Sequence, residues 1–490
     1  MRDICLPLRA VSAATETAQP ARLPALTGRT VTKRIATVAF AALLSACVAQ
    51  PMSEAPTTRA AASAIDLPLA DPLVAPVSAP PRAALPSNAT LARDFMELSF
   101  SLESGRPLPR FTRFEGPITI SLAGKIHPAA PRELDRLVTR LRHEANIPIS
   151  VGPGAHDHIT VEFLPKAQMK RQVPNAACFV VPGVTDWRDY LANRRSAKAD
   201  WTQLTRRERM AVFVPSDSTP QEVRDCLHEE VSQALGPVND LYRLPDTVWN
   251  DDNFHTTLTR YDMTILRAYY APQIWSGMSQ PEVLAAMPRV LAQVNPAGGP
   301  VTALHEDPTP AAYVRAINRA LGGTSGLSAR KAAAREAIAI AASQGWTDTR
   351  AAFGWFVLGR LELPTSPASA TSAFIKAGTI YRSIPGAGIQ AAHVDMQLAA
   401  YALSTGRAQD AIQLVNRSLS AALSGENAAL MATLYMIRAE GYDQLGNIAQ
   451  ARQARLDMAQ WARYGFGSDA AVRRRASEVA ALADAGARTN

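Results

Sequence analysis

The chain has 490 residues, long enough for more than one domain, with 47% hydrophobic residues, 19% charged residues and a formal net charge of +8. Half of that excess lies in positions 1–46, where Arg2, Arg9, Arg22, Arg29, Lys33 and Arg34 face only Asp3 and Glu16. The remainder of the chain carries about +4, too little to argue for a nucleic-acid partner.

The first informative segment begins at the basic pair Lys33-Arg34. Ile35–Leu44 follows, apolar apart from Thr37, and Leu44-Ser45-Ala46-Cys47 closes it. A spanning helix needs roughly 20 apolar residues, about twice what is present, so the segment predicts a bacterial export signal and not a membrane span. The thirty residues before Lys33 are long for such a signal and suggest a translation start further downstream. Leu-Ser-Ala-Cys resembles the lipobox of bacterial lipoproteins. That resemblance implies removal of residues 1–46 and acylation of Cys47, with several acyl chains giving a stable membrane anchor. Val48 stands where the inner-membrane retention signal usually has Asp, which implies the periplasmic face of the bacterial outer membrane. Of four cysteines, Cys5 leaves with the signal and Cys47 carries lipid, leaving Cys178 and Cys226. Two cysteines in an oxidising compartment are most simply one disulfide, the alternative being two buried thiols.

Residues 47–89 are rich in Pro, Ala and small polar residues without helical or strand period, and read as a disordered tether. Leu91, Phe95, Leu98 and Leu102 then fall at helical spacing. Ile118, Ile120 and Leu122 alternate with polar residues as a half-buried strand does. Pro131 opens a helix with Leu134, Leu137, Val138 and Leu141 on one face. Ile159, Val161 and Phe163 alternate again, and Met210–Val214 is a further strand candidate. Pro220 begins a helix that carries Cys226 and His228 and stops at Gly236-Pro237. Leu258–Tyr270 reads as a helix, and Ser279-Gln280-Pro281-Glu282 has the form of a capping box.

From about Thr309 the composition turns Ala-rich and helical. Gly406-Arg-Ala-Gln-Asp-Ala411 recurs forty positions later as Gly446-Asn-Ile-Ala-Gln-Ala451, each with a small residue seven places earlier, Ala399 and Ala439. Trp355-Phe-Val-Leu358-Gly359 resembles the opening of a tetratricopeptide repeat, with Phe374 near the aromatic position of its second helix. The period is longer than that class usually shows, so an unrelated helical bundle stays open as the alternative. Arg473-Arg474-Arg475 reads as a solvated helix face.

One stretch could carry chemistry: Cys226-Leu-His228-Glu229-Glu230-Val-Ser-Gln233-Ala-Leu-Gly236-Pro-Val-Asn239-Asp240. Zinc proteases place His-Glu-x-x-His on one helix face, where the histidines hold the ion and the Glu takes a proton from bound water. In metzincins the pattern continues x-x-Gly-x-x-His. On that frame Glu230 matches the general base and Gly236 the turn glycine, while Glu229, Gln233 and Asn239 occupy the ligand positions. Starting the frame at His228 places Ser232 second and Leu235 on the glycine, a poorer fit. His158–Phe163 resembles the strand before the active helix of matrixins, and Leu258–Tyr270 the helix that ends their fold. Asp246–Asp252 lies where the methionine-bearing turn belongs but has no methionine.

The same stretch more closely resembles a proteobacterial lipoprotein family known only as domain of unknown function 2927. The matching features are Cys226, Glu229-Glu230, Gln233, Leu235-Gly236, Asn239-Asp240, Trp249-Asn250-Asp251, Leu258-Thr259, Asp262 and Gly277-Met278. The resemblance implies export and lipidation but no activity. Amide oxygens are poor zinc ligands beside imidazole, so Glu229, Glu230, Gln233, Asn239 and Asp240 are expected to form a hydrogen-bonded polar cluster without metal or other cofactor. An all-oxygen set for calcium or magnesium is the lesser alternative. His156 and His158 are expected at an exposed strand start. A nucleophile elbow and a Walker-type loop are both lacking.

The expected fold is an α+β zincin-like domain over 90–295, followed by an all-α helical-repeat, tetratricopeptide-like domain over 309–486. The expected function is a non-catalytic binding or assembly module, anchored to the membrane by lipid and holding a protein or peptide on its helical repeats. The alternative is an atypical metal-dependent hydrolase of peptide or cell-wall material with Glu230 as base.

Overall fold

The computed structural model describes residues 84–487 apart from 155, 175, 303–306 and 324. The export signal, Cys47 and most of the tether lie outside the described residues. Helix α1 (Asn88–Phe100) opens two residues inside the stretch read as tether, with Ser87 as its N-cap. Asn88 is buried and its amide donates to the carbonyls of Asn295 and Gly299. Leu102 lies past the end of α1, although its spacing continued the helical pattern.

A five-stranded sheet follows: β1 (Ile118–Gly124), β2 (Ile149–Val151), β3 (His158–Leu164), β4 (Phe179–Pro182) and β5 (Arg209–Pro215), in the order β2-β1-β3-β5-β4. All neighbours are parallel except β4, which runs antiparallel to β5 at one edge. Alternation sorts the side chains between two cores. Met210, Val212 and Val214 of β5 join Ile120, Val161 and Phe163 in the large one. Ala211 and Phe213 join Val181, Val184 and Trp187 in a smaller one on the opposite face.

The large core is closed by α1, α2 (Ala130–Ala145), α5 (Pro220–Leu235), α6 (Arg260–Tyr269) and α7 (Gln280–Val294). Two short helices, α3 (Lys166–Gln172) and α4 (Trp187–Asn193), flank β4. Sequence signals place the helix starts: Thr219 and Glu222 form a capping box on α5, Thr259 and Asp262 on α6, and Ser279 and Glu282 on α7. Residues 236–259 form neither helix nor strand, yet most are buried.

Beyond this α/β region every described element is a helix or a turn. The helices are α8 (Ala311–Leu321), α9 (Leu327–Ser343), α10 (Thr349–Glu362), α11 (Pro367–Ser383), α12 (Gly388–Ser404), α13 (Ala408–Ser424), α14 (Ala428–Gln444), α15 (Ile448–Phe466) and α16 (Asp469–Ala487). Successive helices pack on one another. The repeated Gly406 and Gly446 motifs make one and the same turn. Each glycine has φ +73°, and the next residue's N–H returns to the carbonyl five back, Arg407 to Ala402 at 2.9 Å and Asn447 to Tyr442 at 2.8 Å. This is a Schellman close, which glycine satisfies without steric cost. Ala399 and Ala439 are buried, as are Ala411 and Ala451. A Cβ on Gly359 would lie 2.7 Å from the Phe374 ring, so the two residues singled out in the sequence touch.

Candidate functional site

Helix α5 brings the suspected residues to the junction of the two regions. Its C-terminal carbonyls are satisfied by a residue that the sequence did not flag. Arg207, fully buried, donates to the carbonyls of Gln233 at 2.6 Å and Ala234 at 2.8 Å, and to that of Gly236. A guanidinium at the negative end of a helix neutralises its unpaired carbonyls and dipole together. Burial pulls its pKa down only to about 10, so it keeps its charge. Gly236 is required by contact, since a Cβ there would sit 3.0 Å from the Tyr269 ring on α6. The turn beneath the helix is pinned by Trp249, whose indole N–H donates to Ser232 Oγ at 2.9 Å. Thr247 and Thr259 both hold to Asp262.

Cys178 on the approach to β4 and Cys226 on α5 stand at disulfide distance, their Cα atoms 5.9 Å apart, as the sequence predicts. The Cys178 sulfur lies within 4.8 Å of carboxylate oxygens of Glu229 and Glu230, but as a disulfide sulfur it is no thiolate ligand. A second group joins Glu103, Asp240 and Asp251, with carboxylate oxygens within 4.8 Å of one another. Gln233 Nε2 donates to Asp240 Oδ1 at 3.4 Å. Desolvation, reinforced by the charges of Asp251 and Glu229, pushes the Glu103 carboxyl up to about 8. Desolvation and the neighbouring Glu103, Asp251, Glu229 and Glu230 push Asp240 well above the usual carboxylate range. Like charges crowded in this way disfavour ionisation of their neighbours, most strongly for Asp240, because Glu103 lies on the exposed side of the group.

Of the five residues expected in one cluster, Glu229, Glu230, Gln233 and Asp240 are neighbours by contact or charge. Asn239 is a correction. Its amide turns away and donates to the Glu97 carbonyl at 3.0 Å. Glu103 was missed because it rides a tight turn after α1 and leaves no periodic signal. Its carboxyl reaches the cluster because the chain reverses at Gly105, with φ +79°. Asp251 was visible only as part of the Trp-Asn-Asp triplet.

His156 is exposed just before β3, as the sequence predicts, whereas its neighbour corrects that reading. His158 is buried, not exposed, and both ring nitrogens are engaged, Nδ1 with Thr119 Oγ1 at 2.7 Å and Nε2 with Ser121 Oγ at 2.9 Å. His228 is buried with Nδ1 accepting from the Leu258 N–H at 2.9 Å, and desolvation holds its pKa well below the usual value. Neither converging acidic group includes a histidine. The donors present therefore do not fit a zinc ion, which takes imidazole or thiolate in such frames.

No curated protein and no solved structure matches the chain. Residues 88–289 match the family model described as "Protein of unknown function (DUF2927)", which spans α1 through most of α7 and so contains α5, the acidic groups and the disulfide pair.

Proposed function

We propose that this chain is a lipid-anchored protein of the bacterial outer membrane, facing the periplasm, whose zincin-like domain has lost its ion. It serves as a binding or assembly module whose tetratricopeptide-like helices receive a protein or peptide partner. The observation that carries this reading is the chemistry around Glu230. The acids that converge there are carboxylates beside a disulfide sulfur, and the rings of His158 and His228 are held by other groups. In the zincin scheme the base acts on a water held by imidazole-bound metal, and the groups converging on Glu230 supply no imidazole. Further support is the glycine at the C-terminal end of a capped helix, Gly236 after Leu235, where the zincin frame calls for one.

The test is metal analysis of the purified protein together with Glu230→Gln. The expected result is no stoichiometric transition metal and unchanged folding and partner capture in the variant. Stoichiometric zinc, or a hydrolytic activity lost specifically in Glu230→Gln, would establish the hydrolase instead. Anchoring is tested separately by Cys47→Ser, which should release the protein from membranes.

A further inference from the structure

A cleft of about 370 Å³ opens between the α/β region and the helices, within the size range of small-ligand sites. One wall is α5, which presents Glu222, Asp225 and Glu229, spaced at three and seven so that they share a face. The other wall is α16, which presents Arg474, Arg475 and Glu478, and with Glu478 paired to Arg475 the unbalanced charge there is that of Arg474. The sequence reading of Arg473–Arg475 as a solvated face is thereby corrected, because Arg475 is buried and bonded to Glu478 at 3.2 Å, leaving Arg473 and Arg474 exposed.

Between these walls sits His393 of α12, only 2% exposed. Its tautomer follows from its neighbour. Asn427 Oδ1 accepts from the Leu430 N–H at 3.0 Å and from Gln221 Nε2 at 3.1 Å. The amide nitrogen of Asn427 therefore faces His393 Nε2, at 3.4 Å. That makes Nε2 the acceptor and places the ring proton on Nδ1. Burial and the nearby cations Arg360 and His255 push the ring's pKa down to about 3, so the ring stays neutral. Among the described residues Nδ1–H finds no acceptor, and a buried polar group in that state calls for an external partner or water.

We propose that the cleft binds a small zwitterion of the short-peptide class, its carboxylate on Arg474 and the His393 Nδ1–H, its ammonium against Asp225 and Glu229. Opposite charges on the two walls select a ligand carrying both signs and reject one carrying either alone. This site stands whether or not Glu230 is catalytic, and it needs both regions, since each contributes one wall.

The experiment titrates the folded full chain with trialanine, N-acetyl-trialanine and trialanine amide, read by ligand-observed NMR and calorimetry. Trialanine should bind saturably, and blocking either terminus should weaken it about tenfold, the scale of one charge-assisted contact. Arg474→Gln, at an exposed position, should weaken trialanine about tenfold while leaving the amide unchanged. Asp225→Asn should do the converse, weakening trialanine and sparing the N-acetyl form. Absence of saturable binding up to about 10 mM, near the weak end of specific affinity, would overturn the proposal. Equal affinity for all three peptides, or loss of all three alike in Arg474→Gln, would overturn it as well.

Discussion

The α/β region and the helical region both bury paired charges, but they fill the space around them differently. In the first, charges go inside in matched sets: Arg243 donates to Asp94 at 2.5 Å and to Glu97 at 2.7 Å, with Asp94 wholly inaccessible and Tyr261 also bonded to it at 3.0 Å. In the second, paired charges such as Arg350 with Asp348 and Glu362 with Lys331 also reach the interior, but most of the packing is Ala, aliphatic and aromatic, and the repeated glycine turns are closed by the backbone itself. The lesson is that the first region sets its buried charges within one large core around a sheet, whereas the second spreads its pairs among many small helix–helix contacts. Function accumulates where chemistry is concentrated, which is why the acidic groups and the cleft lie at the edge of the first.

The sharpest way to break this contrast is Arg243→Ala. It strands the Asp94 carboxylate inside the core, and losses of about 3–5 kcal/mol are typical of a broken buried pair. Denaturant unfolding should show that loss, and a change below about 1 kcal/mol would mean that the charges are not structural. Cys178→Ser with Cys226→Ser comes next. Joining residues 48 apart constrains the unfolded chain by about 4 kcal/mol in the loop-entropy model. Thiol titration of the denatured oxidised protein should find neither cysteine free, and two reactive thiols would refute the pairing.

The third prediction concerns pH. Desolvation pushes the Asp252 carboxyl up to about 7 and that of Asp262 to about 6, above their unfolded values near 4. The folded state thus holds protons that the unfolded chain releases. The associated stability is complete below about pH 4 and is lost as pH rises towards about 7. Asp252→Asn should flatten that decline by about 4 kcal/mol, since its carboxyl is raised from near 4 to about 7 and each pKa unit corresponds to about 1.4 kcal/mol. A variant with the parent's pH profile would sink the assignment. The smallest effect belongs to the helices. Gly446→Ala meets no atom within 4 Å, so its cost is backbone strain alone, about 1–2 kcal/mol. Hydrogen exchange should register it in α14 and α15 and leave the sheet unmoved.

The residues that announced themselves in the sequence were those with local rules. The Pro220 and Ser279 helix starts, the alternation in β1 and β3, and the two glycine turns all follow from neighbours a few positions away. What stayed hidden depends on distant partners. His158 looked like a solvent-facing strand residue because nothing nearby shows that Thr119 and Ser121 of β1 would satisfy both its nitrogens. Arg207 and Glu103 are unremarkable in their own segments, and only the folded chain brings them to opposite ends of the α5 story. Arg475 was read by composition, which cannot tell the side of a helix that meets another region.

The irregular segment 236–259 belongs to both interiors at once. Leu241, Leu244, Val248 and Trp249 pack with the sheet, whereas Tyr242 and Phe254 pack among the helices, Phe254 lying 5.1 Å from Phe356 and 4.9 Å from His393. Gln390 reaches back to hold the Pro245 carbonyl at 2.8 Å. The family match ending at residue 289 therefore marks no place where the protein can be divided. A polypeptide stopped there would carry two bare aromatic rings into water, and its helical remainder would have a socket with nothing to fill it, so inheritance of the first part without the second requires a different plug.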